Sequence, residues 1–222
     1  MVSLSPAGKR ERTALAKPSK QRLAGFPRFA LTPSKKLFRA HRRAKSPWWF
    51  SSDGTGRFDL TGSRGTCYLA DAAAAALREA LGESLVKAGV IDFAELDPRV
   101  VSVLRVQSPL SLADTTSPTA ANHGITKEIS TVSYSVPQAW ARAWAHEGID
   151  GEGIDGAGMD GVRYAGRFST AHRDRCYALF GPAGASSAPA DPAPLPAATV
   201  AEKSGIRVVN RPRSVTVVDP PA

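Results

Sequence analysis

The sequence predicts an α+β fold, because short runs with strand character are interspersed with two helical segments. The 222 residues, 42% of them hydrophobic, suffice to bury a core without disulfide bonds or a partner. Helical character is strongest over residues 72–88, which are rich in Ala, Leu, Arg and Glu, and over residues 136–146. Strand character is found in residues 66–70, 100–106, 162–165 and 176–180.

The first helix has recognisable ends. Asp71 is a suitable N-cap for residues 72–88, and Gly89 is placed to end the helix. Within it, Glu79 lies at helical spacing from several alanines, so a ligand or another backbone can approach its carboxylate closely.

Positive charge is concentrated near the N-terminus. The chain has a formal net charge of +9, yet residues 1–45 contain 13 Lys and Arg against one acidic residue, Glu11, and residues 46–222 contain 16 against 19. Four prolines interrupt the first 34 residues, so we expect residues 1–35 to form a basic, disordered arm. Such an arm makes at most weak, unspecific contacts with nucleic-acid phosphates.

Composition suggests the remaining boundaries. We expect one folded domain over residues 36–181, an Ala/Pro-rich linker or loop over residues 182–204, and a C-terminal strand segment over residues 205–222 that packs on the same domain. Cys67 and Cys176 form no CxxC pair, so we expect reduced core cysteines in a cytoplasmic protein. No apolar run reaches the roughly 18 residues of a membrane span, so we expect no membrane association.

Metal sites are not indicated. Three glycine-rich pentads between residues 148 and 162 place Asp at every fifth position, which does not match a calcium loop, so we expect an expanded turn there. The four histidines lack the spacing of metal ligands, and no P-loop or nucleophile motif occurs.

Three residues remain as candidates for catalysis or substrate binding, and they are separated by equal gaps of eleven residues. Arg57 lies in a glycine-rich turn, Tyr68 in the following strand, and Glu79 in the next helix. A turn, a strand and a helix in succession can bring three such side chains around one cleft. Taken singly, each also has an ordinary structural interpretation: Glu79 as a solvated charge, Arg57 as a brace for the turn, and Tyr68 as a half-buried strand residue.

The pattern resembles the RES family, whose members are NAD-degrading toxins of bacterial toxin–antitoxin systems. The resemblance covers about residues 36–181, and its specificity comes from the order of the pieces. The matching pieces are LFRAH at 37–41, GRFD at 56–59, YLA at 68–70, ALRE at 76–79, the Trp-containing segment 137–145, DGVRYAGR at 160–167 and CYALF at 176–180.

The resemblance implies an ADP-ribosyltransferase-like fold, in which split sheets surround a cleft that holds NAD as substrate, with no further cofactor and with a helix-turn-helix antitoxin as partner. Cleavage of the nicotinamide–ribose bond develops an oxocarbenium-like ribose that a carboxylate can stabilise, while arginines suit the pyrophosphate and a tyrosine can stack on nicotinamide or ribose. The acceptor stays open between phosphate, water and a protein side chain. The implied catalytic residues are Glu79, Arg57 and Tyr68, and the implied substrate-binding residues are Arg39, Arg167 and Ser169.

One position departs from the family pattern. Gly166 stands where the family has a serine before the arginine, and the nearest serine is Ser169. Either Ser169 reaches the site or the hydroxyl is missing. Two alternatives to an active enzyme therefore remain: a degenerate RES scaffold that binds without turnover, and a non-enzymatic protein that binds nucleic acid through the basic arm.

Overall fold

The computed structural model describes residues 15, 17–145, 158–168 and 174–210. Strands and helices are interspersed along these residues, as expected for an α+β fold. The helices are α1 (Lys20–Leu23), α2 (Ala73–Ala88), α3 (Phe93–Leu96), α4 (Ser135–Trp144) and α5 (Ala197–Lys203), and two 3-10 helices span Pro118–His123 and Lys127–Ser130. The strands are β1 (Arg28–Leu31), β2 (Leu37–Arg42), β3 (Trp49–Phe50), β4 (Arg64–Ala70), β5 (Ile91–Asp92), β6 (Arg99–Leu104), β7 (Leu110–Asp114), β8 (Gly161–Ala165), β9 (Arg175–Pro182), β10 (Gly184–Ala185), β11 (Leu195–Pro196) and β12 (Val208–Val209).

The main sheet is divided into two parts. Its eight strands, counted over the described residues, run in the order β1-β7-β8-β9-β4-β2-β6-β11. Between β4 and β2 the register contains the single pair Phe38 and Ala70, whereas β4 and β9 pair over seven residues. The junction between the two parts opens a cleft, which confirms the predicted fold class.

The alternation of side chains along β4 explains why this junction carries a site. Cys67 and Leu69 point to one face of the sheet, where they pack with Trp48 and Tyr177. Thr66, Tyr68 and Ala70 point to the other face, towards α2 and α4. Cys67 and Cys176 are both buried and free, as the sequence predicts.

Helix α2 is held across the junction by its apolar face. Leu77 and Leu81 are buried with Val101 of β6 and with Val200 of α5, whereas Ala75 and Ala76 pack in the cluster that contains Trp140. Gly89 ends the helix in the left-handed conformation at φ 66°, which confirms its prediction. The N-cap prediction is wrong: α2 starts after Ala72, and Asp71 Oδ1 instead accepts a hydrogen bond from the backbone nitrogen of Arg175 at 3.0 Å.

The N-terminal segment is more ordered than its composition suggests. Strand β1 pairs with β7 along an edge of the main sheet, and Leu15, Leu23 and Phe26 are buried in the core. The prediction of a disordered arm is therefore wrong for residues 17–35, because apolar residues placed between the basic ones give this segment a face to bury.

The predicted linker is also partly structured. Helix α5 buries Val200 and Ala201 against α2, and β11 pairs with β6. Within the predicted C-terminal strand segment, residues 208–209 form β12, which makes a separate parallel pair with β5. The rest of that segment from residue 211, the pentads up to residue 157 and Ser169 lie outside the described residues. Within the described ranges, no helix is long and apolar enough to cross a membrane.

Candidate active site

A cleft of about 290 Å³ lies at the junction of the two parts of the main sheet. It is bounded by β2, β4, α2, the glycine-rich turn before β4 and the segment after β8. The structure therefore brings together Arg57, Tyr68 and Glu79, which lie in a turn, a strand and a helix. The predicted substrate-binding residue Arg167 lies at the rim of the same cleft. Its walls include Arg57, Tyr68, Glu79, Ser130, Tyr134, Tyr164, Arg167 and Phe168.

Glu79 connects α2 to the segment that follows β8. Its Oε1 accepts a hydrogen bond from the backbone nitrogen of Phe168 at 2.9 Å. Burial raises the pKa of Glu79, while the backbone N–H groups of Phe168 and Arg167 and the charges of Arg57 and Arg167 oppose this shift. The partly buried carboxylate is thus held in place by backbone donors and faces two cations.

Two glycines make this close approach possible. A Cβ on Gly82, one turn beyond Glu79 on α2, would overlap the ring of Phe168. A Cβ on Gly166 would lie 2.9 Å from Glu79 Oε1 and 3.0 Å from Cys176 Sγ. Gly166 therefore leaves room for the carboxylate at the position where the family pattern has a serine.

A different hydroxyl lies at this edge of the cleft. Ser130 Oγ donates to the backbone oxygen of Ala165 at 3.0 Å, next to Gly166. Sequence reasoning missed Ser130, because nothing in its neighbourhood marks the end of a 3-10 helix as part of a site. Its placement becomes visible only when the helix packs against the end of β8.

Arg57 is fixed by the segment that leads into α4. Its Nη1 donates to the backbone oxygen of Val132 at 2.6 Å, and its guanidinium lies 4.7 Å from the centre of the Tyr134 ring. Burial lowers the pKa of the Arg57 guanidinium from its ordinary value. Gln138 of α4 secures the turn, because its Nε2 donates to the carbonyl oxygens of Gly54 and Gly56 at 2.9 Å each.

The hydroxyl of Tyr68 is fully engaged by the protein. It donates to Asp59 Oδ1 at 2.7 Å and accepts from the backbone nitrogen of Phe58 at 2.9 Å. Burial, together with the charge of Asp59, raises the pKa of Tyr68 well above its ordinary value. The ring of Tyr68, and not its hydroxyl, is therefore the part available to a ligand.

Asp59 holds the turn and the strand in register. This fully buried carboxylate also accepts from the backbone nitrogen of Gly56 at 2.8 Å, and burial raises its pKa. A Cβ on Gly56 would overlap both Asp59 and the Tyr68 hydroxyl, so only glycine fits at this position. Asp59 stands in the GRFD piece of the sequence, but nothing in that piece showed that its side chain turns inward.

Arg39 is held by contacts within the protein, and its role in substrate binding stays a prediction. It borders the cleft, but its Nη1 donates to the backbone oxygens of Pro47 and Trp49 at 2.8 Å each and contacts Cys67 Sγ at 3.1 Å. Cys67 lies on the sheet face opposite α2, so its contact with Arg39 Nη1 places the end of that side chain on this face, while Arg39 also lines the cleft. Arg167, in contrast, is exposed at the rim, with its guanidinium 5.0 Å from the centre of the Phe168 ring.

The RES domain model matches residues 36–198, and the chain belongs to the RES domain family. The match extends the predicted domain boundary from residue 181 to residue 198, which includes the first part of α5.

A solved structure has a similar fold. The "Crystal structure of the M.tuberculosis MbcT-MbcA toxin-antitoxin complex" contains a chain that matches with a TM-score of 0.55 and 16% sequence identity, covering 84% of this chain and 96% of that chain. At this level of identity the similarity shows the fold alone. No curated protein matches the chain.

Proposed function

We propose that this RES protein is the toxin of a toxin–antitoxin system and cleaves the bond between nicotinamide and ribose in NAD. The observation that carries the proposal is that Glu79 is held by a backbone N–H group in the same cleft as Arg57 and the ring of Tyr68. Family membership supports NAD as the substrate, and the similar fold of a chain from a toxin–antitoxin complex supports the toxin role.

Each group has a task that suits its surroundings. When the glycosidic bond breaks, its electron pair leaves with neutral nicotinamide and positive charge develops on the ribose. The carboxylate of Glu79, fixed before the reaction, stabilises that charge without having to reorganise. Arg57 and Arg167 bind the pyrophosphate, and the ring of Tyr68 stacks on the nicotinamide or the ribose.

The acceptor adds to ribose C1′ after or during departure of nicotinamide. Inorganic phosphate would give a ribosyl phosphate, and water would lose a proton to give a free ribose hydroxyl. We favour phosphorolysis or hydrolysis of free NAD over transfer of the ADP-ribosyl group to a protein side chain.

The glycine at position 166 is by itself no evidence that the protein has lost catalytic activity. The backbone N–H of Phe168 binds Glu79 without any help from a side chain at position 166, and the space that a serine would occupy borders the Glu79 carboxylate. We therefore propose an active enzyme whose carboxylate is positioned by the backbone.

An antitoxin is the proposed protein partner. The similar solved structure is a toxin–antitoxin complex, and the family resemblance favours an antitoxin of the helix-turn-helix type. Inhibition requires only that the partner cover the cleft.

The experiment measures nicotinamide release from NAD by the purified protein, with and without phosphate, and measures NAD binding separately by calorimetry. We expect release, and a ribosyl phosphate product if phosphate is the acceptor. Binding without release under either condition would identify a non-catalytic scaffold and overturn the proposal.

A further inference from the structure

A second cavity adjoins the cleft. This groove, of about 710 Å³, lies between the end of β8, the start of β9 and the two 3-10 helices. Ser130 and Arg167 line both cavities, so the groove continues the cleft past the rim. Its walls include Thr115, Pro118, Ala121, Lys127, Arg167 and Arg175.

The size of the cleft limits how much of a dinucleotide it can hold. At about 290 Å³ it lies at the lower end of the range of about 300–1,000 Å³ for small-molecule sites. The reacting nicotinamide and ribose must lie beside Glu79. The other nucleotide of NAD must then lie outside the cleft, and the groove shares a wall with the cleft.

The lining of the groove suits an adenosine phosphate. Lys127 and Arg167 supply positive charge for phosphates, whereas the charges of Asp174 and Arg175, which are neighbours in the lining, offset each other. The hydroxyl of Thr115 donates its hydrogen to the backbone oxygen of Arg163 at 2.9 Å, so its oxygen lone pairs can accept from a ribose hydroxyl. Pro118 and Ala121 are exposed and give the groove an apolar surface for a base.

We propose that the groove binds the adenosine-phosphate half of the dinucleotide, with Arg167 at the junction in contact with the pyrophosphate. The proposal rests on the proposed function, because it assumes that nicotinamide reacts beside Glu79. It makes the groove the source of selectivity for a dinucleotide over a mononucleotide.

The test compares two neighbouring residues of one 3-10 helix. Ala121 lines the groove, whereas Asn122 is exposed on the same helix and does not line it. Ala121→Trp should fill the groove and Asn122→Trp should not. The probes are AMP, titrated by calorimetry, and the substrates NAD and nicotinamide mononucleotide, which carries the same scissile bond without the adenosine.

We expect AMP to bind to the wild type and to Asn122→Trp but not to Ala121→Trp. The KM for NAD should rise at least about tenfold in Ala121→Trp, equivalent to about 1.4 kcal/mol, while the KM for nicotinamide mononucleotide stays unchanged. Lys127→Ala, which removes charge without adding bulk, should raise the KM for NAD alone.

Two results would overturn the proposal: absence of AMP binding to the wild type, which would leave the groove to a protein partner, or equal changes for both substrates in Ala121→Trp. The AMP titration does not depend on turnover. Failure of the wild type to release nicotinamide would therefore reject the proposed function and leave the groove to be decided by AMP alone.

Discussion

Oε1 of Glu79 lies 2.9 Å from the backbone nitrogen of Phe168, so the candidate catalytic carboxylate also anchors the segment after β8 to α2. The ring of Phe168 covers Gly82 one helical turn away, and Gly166 leaves space for the carboxylate. The carboxylate and the segment therefore position each other, and a substitution in one should displace the other.

Adding a methyl group at position 166 tests this fit. In Gly166→Ala the new Cβ would stand 2.9 Å from Glu79 Oε1, so the carboxylate or the segment must shift by a few tenths of an ångström. We expect nicotinamide release to fall roughly tenfold, because small displacements of a reacting group are costly. The exposed Ala88 at the end of α2, changed to Ser, lines neither the cleft nor the groove; it is the control and should keep full activity.

Tyr68 should act through its ring. Tyr68→Phe keeps the ring but leaves Asp59 Oδ1 and the Phe58 nitrogen without a partner, so we expect a loss of about 1–3 kcal/mol in the free energy of unfolding with a nearly unchanged KM. Tyr68→Leu removes the ring and should raise the KM for NAD. Urea unfolding and steady-state kinetics measure the two effects. A loss of kcat in Tyr68→Phe as large as that in Tyr68→Leu would show that the hydroxyl takes part in the reaction.

The two arginines near the cleft should separate into different roles. Arg39→Ala removes donors to Pro47 and Trp49 and should lower the melting temperature with little effect on the KM for NAD. Arg57→Ala removes a cation that lines the cleft and should raise the KM. Thermal unfolding and steady-state kinetics on both variants provide the comparison. A raised KM for NAD in Arg39→Ala, with only a lowered melting temperature in Arg57→Ala, would show that Arg39 is the substrate-binding residue of the two.

Activity should decline on the acid side at an unusually high pH. Because burial raises the pKa of Glu79 above its ordinary value of 4.5, the carboxylate becomes protonated at a higher pH than an exposed glutamate. We expect the acid limb of kcat to have an apparent pKa above 4.5. A profile that stays flat down to pH 4.5 would contradict an ionised Glu79 as the active form.

The same shift has the opposite consequence for stability. A carboxyl with a raised pKa favours the folded state below its ordinary pKa, and this contribution is lost as pH rises through the folded pKa. The stability of the wild type relative to Glu79→Gln should therefore decrease as pH rises from below 4.5, as measured by urea unfolding at several pH values.

The sequence predicted the elements whose patterns are local. The helix with Glu79, its end at Gly89 and the strands at 66–70, 100–106 and 176–180 follow from propensity and periodicity, and the resemblance supplied their order around a cleft. Strand β7 was not among the strands expected from the sequence. It became a strand by pairing with β1 and β8, which sequence spacing does not reveal.

The errors concern side chains whose partners are distant in sequence. Asp71 bonds to Arg175 instead of capping α2. Asp59 and Gln138 acquire their roles only when the turn, β4 and α4 meet, and Ser130 acquires its role only when its 3-10 helix packs against the end of β8. The basic N-terminal segment was misjudged because a few well-spaced apolar residues outweighed its charge and prolines.

The most direct test of the central claim is the effect of Glu79→Gln on nicotinamide release from NAD. The amide keeps the shape of the side chain and its acceptor for the Phe168 nitrogen but removes the charge. The matched control is Glu83→Gln, one turn further along the same helix and exposed. We expect release to fall by about 10²–10³-fold in Glu79→Gln and to stay unchanged in Glu83→Gln; equal activities of the two variants would contradict the account.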